Sequence, residues 1–348
     1  MIIRFRLSYM SRAEFGNILH SIVVPEGTPT EEINKSVFPI SKASFEMMPS
    51  SLFRYRPMGD NQIDAFEKDT IYAVTADMYN DPFDTLIKCD KEGIKAYLRQ
   101  LLSVEALSQL TAFIQRGNDI PEELKRGNLS APWDKIKDKL LEVEDFESLQ
   151  GNVDASLNQL SSQIDVYFPV LAKTAKCFSA YACFSEVVDS ILMWSHYASS
   201  HKGFVLEYDF RPTLANPIKN MVILPVIYSE ERFDASAFML WAFMAFCGST
   251  LKNPDITAHM KVALHKSLDW AYENEWRMIE ATPRNPFDKT ASAVFCKPKA
   301  VYYGCEMDLD KKQMLHEIAM SKGIKEFEMY IDLYSSKYKM KYRPYVLF

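Results

Sequence analysis

Strand-like alternation is scattered along this chain at irregular intervals, and one long block without it separates the first strands from the rest. Leu52-Phe-Arg-Tyr-Arg-Pro-Met and Ile71-Tyr-Ala-Val-Thr carry the period-2 pattern ahead of that block. From about Lys91 to Val170 leucine, glutamate and lysine dominate, with breakers at Gly117-Asn118, Pro121, Gly127-Asn128 and Pro132. Strand character then returns in Cys183-Phe-Ser, Phe204 to Asp209, Met221 to Ser229, Tyr272 to Glu280 and Ala300 to Gly304, with clear alternation from Phe204 to Asp209. Strands interrupted this way do not form a regular βαβ repeat. The pattern predicts an α+β fold, with a mixed, mostly antiparallel central sheet and a large helical insertion at about 91–165.

Residues 1–50 read as an N-terminal extension: a strand over Ile2 to Ser8, an amphipathic stretch near Ala13 to Ile22, and a loose connector around Pro25 to Asn34. A single domain over 51–348 follows, with further helices expected at Asn61 to Lys68, Ala235 to Asp269 and Asp310 to Ser321. Its densest unit is Cys183 to Asp209, a strand, a helix capped by Asp189 or Ser190, and a strand restarted by Gly203.

Composition narrows the function classes. A net charge of −6 gives no bulk attraction to a nucleic-acid backbone. Six cysteines without a CxxC pair point to a reducing compartment. The longest apolar run, Phe238 to Cys247, is about half of what a membrane span needs. A soluble, cytoplasmic protein is expected. With only 11 glycines and no Gly-rich phosphate loop, P-loop and Rossmann folds are disfavoured.

The polar residues converge on a candidate anion-binding cleft. On extended strands Arg54 and Arg56 share one face, as do Glu275 and Arg277 on another strand. Arginines hold phosphate bidentately, and a carboxylate beside them acts as base or steadies positive charge. The expected site comprises Glu275, His196 and Tyr197 as catalytic groups. Arg54, Arg56, Asn80, Asp81, Ser185, Glu207 and Arg277 are the substrate- or phosphate-binding groups. The bland alternative is a set of ion pairs closing a sheet edge. His196 and His201 lack the spacing of a zinc pair, so no metal is expected. Ser195, His196 and Asp189 lack the geometry of a triad, because adjacent helical residues diverge. Trp194 and Trp276 read as packing residues.

Six motifs in order carry a family resemblance: Leu52-Phe-Arg-Tyr-Arg, Tyr79-Asn-Asp-Pro-Phe-Asp, Cys183-Phe-Ser-Glu, Met193-Trp-Ser-His-Tyr-Ala, His201 to Asp209 and Tyr272-Glu-Asn-Glu-Trp-Arg. Together they resemble a bacterial family catalogued as domain of unknown function 2971, which implies a bacterial or phage-associated intracellular protein. The order Arg56, then Thr75 or Tyr72, then Glu275 also resembles ADP-ribosyltransferase-like folds, although no Ser-Thr-Ser box is present. That resemblance implies NAD as substrate, with Arg56 on the pyrophosphate and Glu275 steadying the oxocarbenium-like transition state. The leading expectation is therefore an NAD-consuming effector of a toxin or phage-defence system. Its partner would be a macromolecular acceptor or a small nucleotide. Two alternatives stay open: a metal-dependent nuclease or hydrolase using Glu207, Asp209 and Glu275, and a non-catalytic nucleotide- or peptide-binding module.

Overall fold

The computed structural model describes residues 10–119, 137–138, 140–214, 218, 220–246, 252–285 and 287–346. The strand expected at Ile2 to Ser8 and the middle of the expected insertion lie outside them.

Twelve strands are described: β1 Leu52–Arg56, β2 Thr70–Thr75, β3 Ala180–Ser185, β4 Phe204–Tyr208, β5 Met221–Pro225, β6 Ile227–Ser229, β7 His265–Ser267, β8 Glu275–Glu280, β9 Ser292–Phe295, β10 Ala300–Tyr303, β11 Lys325–Ile331 and β12 Met340–Pro344. Ten form one mixed sheet in which only the β10–β11 pair is parallel, while β6 and β7 make a separate parallel ribbon. The fold is α+β, with a mostly antiparallel central sheet.

The sheet forks at β3. One edge of β3 is paired along its length by β8, from Tyr181 opposite Ile279 to Ser185 opposite Glu275. The other edge is shared by two strands: β2 takes its start, Val74 opposite Tyr181, and β1 takes its end, Phe53 opposite Ser185. Between these anchors β1 leaves with β4 and β2 leaves with β9. The stretch Ala182–Phe184 thus faces a gap between diverging strands. Arg54 bridges the fork, donating from Nη2 to the Tyr72 carbonyl of β2 at 2.9 Å.

Helices cover both faces. Of α1 (Arg12–Ser21), α2 (Thr30–Met47) and α3 (Asp60–Glu67), the first two place Phe15, Leu19 and Ile40 against Leu224 and Ile279 of β5 and β8. Helix α1 starts with a capping box in which Ser11 and Glu14 satisfy each other's backbone. The connector expected near Pro25 to Asn34 instead runs into α2, which tolerates Pro39 in its interior. In the later sequence, α4 (Lys91–Leu101), α5 (Val104–Gln115) and α6 (Gln150–Ala175) precede β3. Ile94, Leu98, Ile164 and Phe168 of α4 and α6 pack with Phe238, Met239 and Phe243.

Past β3, α7 (Ile191–Tyr197) lays Met193 and Trp194 over Tyr55 and Val205. The region expected to be helical from Ala235 to Asp269 holds two helices, α8 (Ser236–Phe246) and α9 (Ala258–Ala263), and then strand β7. Every residue of α9 is buried, so its sequence shows no apolar face to mark where the helix ends. Helix α10 (Leu309–Lys322) places Leu315 and Ala319 in the main core with Phe66, Val301 and Tyr303.

Candidate functional site

The fork opens into a cavity of about 130 Å³ lined by both arginines of β1, by Tyr79, Asn80, Cys183 and Ser185, and by Tyr197, Lys266, Glu273 and Glu275. Period-2 geometry puts Arg54 and Arg56 on the same side of β1. Arg54 is only 7% exposed, and its Nη1 is buried without a hydrogen-bond partner. The Arg56 side chain has neither a hydrogen bond nor an ion pair among the described residues. Burial, and then the neighbouring charge of Arg54, pull its guanidinium down to about 9. Two cations side by side with no anion between them are an unfinished electrostatic arrangement.

The opposite wall is a buried network with its charges already matched. Arg277 is fully buried, reaching both Asp84 oxygens at 2.7 and 2.9 Å and Glu275 Oε1 at 2.8 Å. Lys266 donates to Glu275 Oε2 at 2.9 Å and also to Glu273. The Glu273 carboxylate accepts a second bond from the Tyr197 hydroxyl at 2.6 Å. Burial alone would raise the Glu275 carboxyl, but Arg277 and Lys266 hold it well below the usual range. Glu273 goes the other way. Burial and then the charge of Glu275 raise it, against the pull of Lys266 and Tyr197. Burial and Glu273 push the Tyr197 phenol well up, with Lys266 and then Asn80 partly offsetting the rise. The two carboxylates are thus shifted in opposite directions, Glu275 down and Glu273 up.

Backbone geometry explains how Glu273 reaches this point. Strand β8 begins at Glu275, because Asn274 adopts a left-handed conformation with φ 45° and ends a short 3₁₀ turn. Alternation from Tyr272 onward therefore does not hold, yet the turn swings Glu273 back onto Lys266 beside Glu275. On the arginine side, Ser199, Ser200 and His201 have φ of 48°, 52° and 69°. This turn packs so tightly that a Cβ on Gly203 would collide with the Arg56 carbonyl and lie 2.9 Å from Ala198 Cα.

Several expected site residues are placed elsewhere. Glu275 lines the cavity, but both its oxygens are occupied by Arg277 and Lys266. Arg277 cannot hold an incoming phosphate, because it is sealed in the core by Asp84, Glu275 and the Ala263 carbonyl. Glu207 points away on the far side of β1, where Lys299 at 3.0 Å and the Tyr302 hydroxyl at 2.9 Å hold it. His196 is exposed on the outer side of α7 and is not part of the lining. Asp81 faces a different cleft. Ser185 is at the fork, but its hydroxyl already donates to the Glu273 carbonyl at 2.6 Å. Thr75 and Tyr72 lie on β2 outside the lining, and Thr75 bonds Asp77 at 2.5 Å. Ser185 is thus the hydroxyl opposite Glu275.

Asp209 is chelated by Arg211 at 2.7 Å, so Glu207, Asp209 and Glu275 belong to three separate ion-pair sets. Among the described residues no group of three or more His, Cys, Asp or Glu side chains is placed to hold a metal ion. Nor, among the described residues, is any helix long and apolar enough to cross a membrane. Sequence reasoning missed Lys266, Asp84 and Glu273 as members of the site. Lys266, at the end of the short apolar run Val262-Ala-Leu and next to His265, was the available signal.

No curated protein and no solved structure matches this chain. Residues 193–278, from α7 to β8 and including Tyr197, Lys266, Glu273 and Glu275, match the model of a family described as "Protein of unknown function (DUF2971)", which supports this chain's resemblance to that family.

Proposed function

We propose that the fork binds a nucleotide through its phosphates and that the chain consumes NAD in an ADP-ribosyltransferase-like reaction. The observation that carries this reading is the pair Arg54 and Arg56, cationic, adjacent and without a carboxylate partner. A cavity of about 130 Å³ is smaller than the roughly 300–1,000 Å³ that encloses a whole ligand. It encloses only the part of a dinucleotide that meets the arginines and Glu273, and the rest lies outside the mouth.

In this reading the arginines hold the pyrophosphate. The nicotinamide ribose sits toward Glu273 and Tyr197, and Glu275 with its cations keeps Glu273 in place. The C1′–N bond breaks with its electron pair leaving on nicotinamide. The acceptor's nucleophile bonds C1′ and gives its proton to Glu273, whose raised carboxyl pKa suits that transfer. No step needs a metal. The acceptor is a macromolecule or a small nucleotide, and such consumption would serve a toxin or phage-defence system.

Calorimetric titration with ADP-ribose and NAD, with chromatographic assay of nicotinamide, tests this. Arg56→Ala is expected to weaken binding at least about tenfold. Glu273→Gln is expected to keep binding and lower nicotinamide release by roughly 10²–10⁴-fold. A folded wild type that binds neither nucleotide overturns the whole reading.

A second reading is a nucleotide sensor without turnover. It is favoured by Glu275 and Glu273 both being neutralised by Lys266, Arg277 and Tyr197. Tight binding with no nicotinamide released would select it.

A further inference from the structure

A larger cleft, of about 340 Å³, opens on the other side of Lys266. Asp81, Thr85 and Trp270 form part of its lining, Phe83 offers a ring face, and Glu230 and Asp269 stand at its exposed rim. Two buried polar atoms of this lining have no hydrogen-bond partner: Asp81 Oδ2 and Thr85 Oγ1. Their residues are 7% and 3% exposed. The other Asp81 oxygen is occupied, accepting from the Phe83 amide at 2.8 Å.

Two of the three surrounding cations are committed elsewhere. Lys176 donates to the Pro82 carbonyl at 2.6 Å, and Lys266 is held by Glu273 and Glu275. Arg232 also lines the cleft and makes only a long bond, 3.5 Å to the Ile87 carbonyl, with none to Asp81. What is left over is a carboxylate oxygen and a hydroxyl, both able to accept, in a cleft whose rim adds further carboxylates. An anion would be repelled there. A donor carrying positive charge would satisfy both buried oxygens and gain from the rim carboxylates and the exposed Phe83 ring, the Trp270 ring being already covered by the Lys266 ammonium at 5.0 Å.

We propose that this cleft binds an organic cation, a primary ammonium or a guanidinium, with Asp81 as its counter-ion and Thr85 as a second acceptor. The site stands on these observations alone and does not depend on nucleotide binding at the fork. Its test is a titration of the full chain, without nucleotide, with Nα-acetyl-arginine amide and Nα-acetyl-lysine amide. Nα-acetyl-citrulline amide serves as the neutral near-isostere.

At least one cationic amide is expected to bind saturably and at least about tenfold tighter than the citrulline compound. Asp81→Asn is expected to remove most of that preference with the melting temperature checked in parallel. Should Asp81→Asn fail to fold, the exposed pair Glu230→Gln and Asp269→Asn serves instead, and weaker, less salt-dependent binding is expected. Arg56→Ala is expected to leave cation binding unchanged. The proposal is overturned by no saturable binding, by equal binding of the citrulline compound, or by folded carboxylate variants that bind like wild type. A change of cation binding in Arg56→Ala, in either direction, overturns it too, because the ligand would then sense the fork.

Discussion

Removing the Arg277 guanidinium asks whether the fork is held together by its buried charges. In Arg277→Met, Asp84, Glu273 and Glu275 lose the cation that holds Asp84 at 2.7 Å and Glu275 at 2.8 Å, and share Lys266 alone. Breaking a buried pair from one side costs about 3–5 kcal/mol, because the partner charge stays buried without compensation. Unfolding 348 residues at roughly 2.1 cal/mol/K each gives an entropy of about 0.7 kcal/mol/K, so the melting temperature should drop by about 4–7 °C. The pH dependence has a definite sign. In the wild type Glu275 is held below its ordinary pKa. Its stabilisation is therefore present above the unfolded value and lost as pH falls through the folded one. In the variant, burial without Arg277 raises Asp84 and Glu275, and their destabilisation is relieved as pH falls through the raised values. Urea denaturation followed by tryptophan fluorescence should therefore show the wild-type-to-variant gap narrowing from pH 7.5 to pH 5. Adding Asp84→Asn to Arg277→Met should recover part of the loss at pH 7.5. A cost below about 1 kcal/mol at pH 7.5, or a gap that holds or widens in acid, would refute the reasoning.

Three more outcomes follow from the same geometry. Gly203→Ala should lower the melting temperature and weaken ADP-ribose binding together, since its Cβ would displace the Arg56 carbonyl; unchanged calorimetry on both counts would show the turn to be permissive. Tyr197→Phe removes one of the two groups that restrain the rise of Glu273, so the rising limb of nicotinamide release against pH should move to higher pH. His265, buried against His20 at 3.0 Å with Lys261 nearby, is pushed down to about 4 by burial, so stability should fall as pH drops from about 6.5 toward 4, by up to about 3 kcal/mol, and His265→Gln should flatten that profile in thermal melts.

Local pattern carried part of this fold into the sequence and not the rest. Strands β1 and β4 were legible because alternation along a pleated strand marks its faces, and β2 and β10 because short β-branched and aromatic runs read as strands. Strand β9 was not, since Ser292–Phe295 buries only Val294. Lys266 was hidden because α9 and β7 follow each other in one buried apolar run, where neither period shows. The shared face of Glu275 and Arg277 was readable from spacing. The partners of Arg277 were not, because Asp84 comes from a loop far away in sequence. Which arginine stays unpaired is a property of the fork, and the fork depends on two strands competing for one edge of β3. No single segment encodes that competition.

Backbone strain concentrates around the same place. Of the non-glycine residues with positive φ, Ser199, Ser200 and His201 lie behind Arg56, Asn274 separates Glu273 from Glu275, and Thr85 follows Asp84. Each left-handed residue costs about 1 kcal/mol, and a β-branched one such as Thr85 more, so strain of this kind persists only where the surroundings over-determine it. Here the surroundings are identifiable. Gly203 bonds the Ala198 carbonyl at 2.7 Å, Gly304 bonds the Gly203 carbonyl at 2.9 Å, and neither glycine has room for a side chain. That backbone packing fixes the Arg56 main chain without any carboxylate on its guanidinium. An arginine positioned by its backbone keeps its charge for a ligand, and this distinguishes Arg56 from Arg277, whose charge the core has already used.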